Sequence, residues 1–95
     1  MNLRDVIVNG LSIDEDLVLY AKKVDGKLLP SSEAVLLELT EEERDLETDE
    51  LAKKKCPGFS YCMEMFLIHE LLQDLETMDI DKKVERVIYY IEYDA

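Results

Sequence analysis

Cys56, Cys62 and His69 are the residues of this chain best suited to ligate a metal or attack a substrate. In structural zinc sites the paired cysteines usually lie roughly two to four residues apart, and further Cys or His ligands complete the set. Here five residues separate Cys56 from Cys62, and the chain has no other cysteine or histidine beyond His69. The sequence therefore predicts no metal site, and both thiols are expected to be reduced and packed as small apolar side chains.

The same residues could form a nucleophile and its base, with Cys56 as the thiolate and His69 as the proton acceptor. Activated thiolates usually lie at helix N-termini, whereas Cys56 follows Lys53, Lys54 and Lys55 at the predicted end of a helix, where the dipole has the wrong sign. No residue can be assigned to orient the histidine, and a chain with three glycines has no glycine-rich phosphate or oxyanion loop. We therefore predict that the protein is not an enzyme and uses no cofactor.

The densest block of charge lies in the middle of the chain. Residues 33–50 include nine Asp or Glu and one Arg, so this segment carries a charge of −8 out of −12 for the whole chain. Such blocks attract basic protein surfaces, although many are only solvated loops that aid solubility. The residues predicted here to contact a partner are Glu41, Glu42, Glu43, Asp45, Glu47, Asp49 and Glu50.

The end of the chain is rich in tyrosine, because Tyr89, Tyr90 and Tyr93 flank an apolar stripe. Tyrosine combines a large contact area with a polar tip and is enriched at protein interfaces. We predict that these side chains either contact a partner, including a second copy of the chain in a homodimer, or pack at the edge of the core.

The net charge of −12 repels phosphate groups and anionic lipid headgroups. Direct binding of nucleic acids or membranes is therefore not expected. No run approaches about 18 consecutive apolar residues, and Arg4 and Asp5 interrupt the apolar N-terminus, where a secretory signal needs an unbroken run. These features predict a cytoplasmic protein.

The elements that would carry these residues belong to one domain over residues 1–95, since a chain of this length supports a single core. Asn2 predicts the cap of a short N-terminal helix that ends at a left-handed Gly10. An Asp25-Gly26 turn is expected to send the chain back as a hairpin towards Pro30. The predicted strands are the apolar or alternating runs at 17–21, 34–37 and 59–64.

Apolar residues recur at helical spacing from about residue 65 to 78 and again from Val84 to Ile91, which predicts two amphipathic helices. Thr40 with Glu43 fits a capping box, so residues 38–50 are expected to form either helical turns or a mobile loop. The predicted fold class is α+β: a small, mainly antiparallel sheet of about three strands packed against the two C-terminal helices, with the short N-terminal helix beside them.

Four features together carry a resemblance. They are the apolar run ending in Tyr20-Ala21, the acidic middle, the segment Gly58-Phe59-Ser60-Tyr61, and the ending from Tyr89-Tyr90 to Asp94-Ala95. In these features the chain resembles a family of uncharacterised small acidic bacterial proteins, described as a domain of unknown function. The resemblance implies a bacterial protein with no established catalytic residues, and similar proteins are sometimes proposed as immunity proteins of toxin systems.

The residues thus favour a non-catalytic protein-interaction domain whose acidic face binds a basic partner protein, with an immunity-type inhibitor as one form. The alternative is a homo-oligomeric structural or regulatory domain joined through Tyr89, Tyr90 and Tyr93. A small enzyme or metal protein built on the two cysteines and the histidine is the least favoured hypothesis.

Overall fold

The computed structural model describes residues 1–93 and has the predicted α+β class. Its strands are β1 (Val18–Ala21), β2 (Ala34–Leu37) and β3 (Ser60–Glu64). Its helices are α1 (Leu3–Val8), α2 (Glu41–Arg44), α3 (Thr48–Lys55), α4 (Met65–Asp74) and α5 (Ile80–Tyr93), with a 3₁₀ turn at Gly10–Ser12.

The three strands form one antiparallel sheet in the order β2-β1-β3. The central strand β1 pairs Val18 with Leu37 on one side and with Glu64 on the other. Between β1 and β2 the predicted turn is present, because Asp25 and Gly26 have φ angles of 53° and 77°, the left-handed region that suits such a turn.

The return from this turn differs from the prediction, since residues 28–33 form no strand. Instead, the carbonyl oxygens of Pro30 and Ser32 accept hydrogen bonds from the backbone N–H groups of Arg4 and Leu3, at 2.9 and 2.8 Å. These bonds satisfy donors that the first turn of α1 leaves without intrahelical partners. The segment before β2 is therefore tied to the N-terminal helix, and only its last residue, Glu33, also accepts a hydrogen bond from the Lys22 N–H that follows β1.

One face of the sheet packs against α1, α4 and α5. This larger core buries apolar residues at the spacings that the sequence predicted for the helices, together with alternate residues of β1. Its buried members are Leu3, Val6, Ile7, Leu19, Ala21, Leu28, Ala34, Cys62, Met63, Met65, Ile68, Leu72, Val84, Val87, Ile88 and Ile91.

The other face of the sheet is covered by α3 and by the segment that contains α2. Val18 and Tyr20 of β1 pack there against Leu51, Ala52 and Cys56. Because both faces of β1 are covered, all of its residues are buried, which explains its apolar run without alternation. The sheet is therefore the middle layer of three, and the acidic segment lies over its second face.

Gly10 departs from the prediction, although the cap of α1 is as expected. The Asn2 side chain accepts a hydrogen bond from the Asp5 N–H at 2.8 Å. Gly10, however, does not have a positive φ angle; it starts the 3₁₀ turn and is buried. A Cβ atom at this position would overlap the Cδ1 atom of Leu72 on α4, so this buried side chain would have to shift if Gly10 were replaced.

Candidate functional site

A β-bulge shapes the second face of the sheet. Leu19 lies opposite Met63 and Tyr20 opposite Tyr61, so the register shifts and Cys62 is left without a partner on β1. The sequence predicted that the side chains of β3 would alternate between the two faces of the sheet. Instead, Cys62 and Met63 both join the larger core, while Tyr61 packs on the other face. Bulges redirect side chains in this way.

The bulge brings Tyr61 and Glu64 together. Residues three apart in a regular strand point to opposite faces, whereas here the Tyr61 hydroxyl donates a hydrogen bond to the Glu64 carboxylate at 2.7 Å. Burial and this contact with Glu64 raise the pKa of Tyr61 well above its ordinary value. At neutral pH the Tyr61 hydroxyl therefore keeps its proton and donates it in the hydrogen bond to the Glu64 carboxylate.

Tyr20 lies beside this pair and is completely buried, with 0% of its surface exposed. Its ring meets the Tyr61 ring edge-on, with the ring centres 5.7 Å apart. Within residues 1–93 the buried Tyr20 hydroxyl has no hydrogen-bond partner. Burial raises the pKa of Tyr20, and the acidic groups of Cys56, Asp49 and Glu64 add to this shift.

Beside these rings lies a cavity of about 130 Å³, here called the Tyr20 cavity. Part of its lining is apolar and part carries hydroxyl, carboxylate or guanidinium groups. Its lining residues are Val18, Tyr20, Leu39, Glu43, Arg44, Leu46, Thr48, Leu51, Tyr61 and Glu64.

Of the predicted acidic residues, Glu43 pairs with another residue of the chain. Thr40 and Glu43 form the expected capping box of α2, and the Glu43 carboxylate also pairs with Lys55 at 2.7 Å. The hydrogen bond from Lys55, and then that from the Thr40 backbone, lower the pKa of Glu43. This partly buried carboxylate joins α2 to the end of α3, so its charge is already paired within the fold.

The other predicted acidic residues are exposed, and none belongs to any of the ion pairs found in residues 1–93. All lie on or beside α2 and in the first turn of α3, while the basic residues Lys53, Lys54 and Lys55 occupy the last turn of α3. This order complements the helix dipole. The set, called the acidic face, is Glu41, Glu42, Asp45, Glu47, Asp49 and Glu50.

The predicted tyrosines lie on α5, in the layer on the opposite side of the sheet. Tyr89 and Tyr93 are 53% and 69% exposed, and their ring centres are 4.8 Å apart. Tyr90 is partly buried and lines a groove that also includes Tyr61 and Met63. Within the described part of the chain no hydrogen bond, ion pair or ring contact joins these tyrosines to the acidic face.

The cysteines and the histidine are not brought together. Cys62 belongs to the larger core, where burial raises its pKa to about 12, and Cys56 packs on the other face of the sheet. The His69 Nε2–H donates to the Ile13 carbonyl oxygen at 2.7 Å, which ties α4 to the loop before β1. Among residues 1–93 no group of three or more His, Cys, Asp or Glu side chains is arranged to hold a metal.

Sequence reasoning missed Tyr20, Tyr61 and Glu64 as a site. The available signal was the tyrosine in the otherwise aliphatic run of β1, since a buried hydroxyl needs a partner. The contact between Tyr61 and Glu64 depends on the bulge, which only pairing with β1 reveals.

Comparison of the chain with protein-family models, curated proteins and solved structures found no match. The resemblance to small acidic bacterial proteins therefore stays a prediction. Over residues 1–93, no helix is both long enough and apolar enough to cross a bilayer.

Proposed function

We propose that this chain is a non-catalytic protein-interaction domain that binds a basic partner protein through the acidic face. The supporting observation is the set of carboxylates on and beside α2 and α3, which are exposed and lie outside the ion pairs of residues 1–93. Fixed like charges on one surface steer an oppositely charged protein and speed its encounter.

An immunity-type inhibitor of a basic toxin is the specific form that we propose. Such an inhibitor acts by covering the basic surface with which the toxin binds its own target, so it needs no chemistry of its own. The net charge of −12 favours this form, because a nuclease-like basic surface prefers polyanions. Charge brings the two surfaces together, and apolar contacts then slow dissociation.

The test is an acidic-face variant with Glu41→Gln, Glu42→Gln and Glu47→Gln. These residues are exposed and none pairs with a cation within residues 1–93, so the fold should not change. The tagged wild type is used at low and high salt to retain a partner, which is identified by mass spectrometry and purified. We expect a basic protein whose association rate falls by about tenfold or more with the variant.

A matched control variant removes the same charge elsewhere, through Glu70→Gln, Glu76→Gln and Glu85→Gln. These side chains are also exposed and lie outside the acidic face. The control should keep an association rate within about twofold of the wild type, because local rather than net charge steers the encounter. Equal effects of the two variants would contradict the proposed site.

A homo-oligomeric structural or regulatory domain is the second candidate, and the exposed rings of Tyr89 and Tyr93 favour it. Sedimentation at micromolar concentration would show a dimer, and Tyr89→Ala with Tyr93→Ala would restore the monomer. A wild type that stays monomeric removes this candidate without affecting the first one.

A further inference from the structure

We propose that the outer edge of β2 binds an extended basic segment of the partner protein, which adds a fourth strand to the sheet beside Leu36. This inference rests on the proposed function, and it names the contact that holds the partner after the acidic face has steered its approach. β2 is an edge strand, because the strand order is β2-β1-β3. The acidic face begins at Glu41, shortly after β2 ends at Leu37, so the two surfaces adjoin along the chain.

The first argument is the direction of the backbone groups of β2. In an antiparallel pair, residues that exchange hydrogen bonds with the neighbouring strand alternate with residues whose N–H and C=O groups point to the other side. The Lys22 N–H donates to the Glu33 carbonyl oxygen at 2.8 Å. Counted from this pair along the register, Val35 faces β1, whereas Leu36 faces outwards.

The second argument is that the N-terminal residues already pair with the first part of this edge. The Ala34 N–H donates to the Met1 carbonyl oxygen at 3.0 Å, and Asn2 forms an antiparallel bridge with Glu33. The next outward-facing residue is Leu36, and within residues 1–93 no backbone group forms a hydrogen bond with its N–H or C=O. The edge therefore has the geometry that accepts a strand, and its second half is unpaired.

The third argument is the burial of the side chains. All residues of β1 are buried, but in β2 the side chains of Val35, Leu36 and Leu37 stay partly exposed. Leu36 packs against the larger core, while the other two pack on the face covered by α3. Exposed apolar edges are usually protected by lysine, proline or a bulge, and residues 34–37 have none of these. An added strand would cover apolar surface on both faces.

The fourth argument is charge, which selects a basic occupant. Residues 33–44 include five glutamates, of which Glu33 and Glu38 flank β2 and are exposed. Lys22 and Lys55 neutralise two of the five through ion pairs, and Arg44 offsets a third, which leaves two negative charges on this segment. Lysine or arginine side chains beside the added strand would therefore be attracted to this edge.

Two other arrangements fit less well. A second copy of the chain would bring the same flanking glutamates to this edge, and both chains carry a charge of −12, so repulsion opposes self-pairing. The outer edge of β3 suits a basic segment less than that of β2. Its Tyr61 lines a cleft in which Lys23 and Lys27 outnumber the one carboxylate, Glu92.

The test uses the blocked peptide acetyl-Lys-Val-Lys-Val-Lys-amide and two control peptides. One control carries N-methyl groups on its second to fourth residues, and the other has glutamate in place of each lysine. Strand addition depends on backbone hydrogen bonds, so N-methylation prevents it without changing the charge. The lysine peptide should bind with a Kd on the order of millimolar, and both controls about tenfold or more weakly. Equal binding of the lysine peptide and its N-methylated form overturns the proposal.

Amide hydrogen exchange followed by NMR locates the contact. With the lysine peptide at ten times its Kd, about 90% of the protein is bound, so exchange of the Leu36 amide should slow about tenfold. Amides of α5 should exchange as in the free protein. Peptide binding that leaves the exchange of Leu36 unchanged contradicts the proposed edge.

Glu38→Gln tests the charge at this edge. Glu38 is exposed and belongs to no ion pair of residues 1–93, so the fold should not change, which urea denaturation checks. The variant should bind the lysine peptide about threefold more weakly. Glu76→Gln, the matched control at an exposed site after α4, should bind as the wild type does. Equal affinities of the two variants contradict a basic occupant beside β2.

The complex with the purified partner separates this inference from the proposed function. In that complex the Leu36 amide should be protected by about tenfold or more. If the acidic-face variant slows association but Leu36 exchanges as in the free protein, the proposed function stands and this inference is overturned. If the lysine peptide binds at Leu36 but no basic protein is retained, the proposed function fails, and with it the assignment of the segment to a partner.

The protein alone provides the last comparison. Protection of the Leu36 amide should not depend on the concentration of the free protein. If protection grows with concentration and sedimentation shows a dimer, the occupant is a second copy of the chain and the proposal is overturned.

Discussion

Removing the Tyr20 hydroxyl should stabilise the protein. Tyr20→Phe leaves the ring, its edge-on contact with Tyr61 and the surrounding core unchanged, but deletes a buried oxygen that has no partner in residues 1–93. An unsatisfied buried polar group costs about 1–3 kcal/mol. We therefore expect the free energy of unfolding to rise by about 1–2 kcal/mol and the Tm by roughly 4–10 °C for a domain of this size.

Tyr61→Phe is the matched control, because it deletes the same atom from a tyrosine on the same face. Its hydroxyl donates to the Glu64 carboxylate at 2.7 Å, so its loss should destabilise the protein by about 1–2 kcal/mol. Urea denaturation at pH 7, followed by circular dichroism, measures both variants. If Tyr20→Phe destabilises the protein as much as Tyr61→Phe does, the Tyr20 hydroxyl is paired and its assignment as an unsatisfied group is refuted.

Three other predictions follow from the core. Gly10→Ala should destabilise the protein by about 1–3 kcal/mol in the same urea assay, because the added Cβ overlaps Leu72; an unchanged midpoint would show that α4 can shift. Burial raises the pKa of Tyr61 and of Cys62, so the folded state holds these protons more tightly than the unfolded state does. The free energy of unfolding should therefore fall as the pH rises above about 9. A free energy of unfolding that stays constant from pH 8 to 11 would refute the shifts. Both thiols should react with an aromatic disulfide reagent far more slowly in the native than in the urea-unfolded protein, since Cys56 and Cys62 are buried; rapid native reaction would contradict their burial.

Local signals were sufficient to predict several elements. The spacing of Val84, Val87 and Ile91 predicts α5, and the capping box of Thr40 with Glu43 marks the start of α2, for which a mobile loop was the alternative prediction. These patterns depend on residues only three or four apart, which sequence displays directly.

Features that depend on distant contacts could not be predicted in this way. The end of α4 at Asp74 rather than near Met78 and the conformation of Gly10 reflect tertiary packing. The bulge in β3 exists only through its pairing with β1, so the contact between Tyr61 and Glu64 was not foreseen. The acidic residues were predicted as a set, but the pairing of Glu43 with Lys55 separates this carboxylate from the six others, which are exposed and outside the ion pairs of residues 1–93.

The most direct test of the proposed function is the association rate of the purified partner, measured by stopped flow at increasing salt. Binding steered by the acidic face predicts a rate that falls by about tenfold or more from low to high salt for the wild type and the control variant. The acidic-face variant should start from a lower rate and show a weaker salt dependence. A rate that is independent of salt and equal in all three proteins would contradict the account.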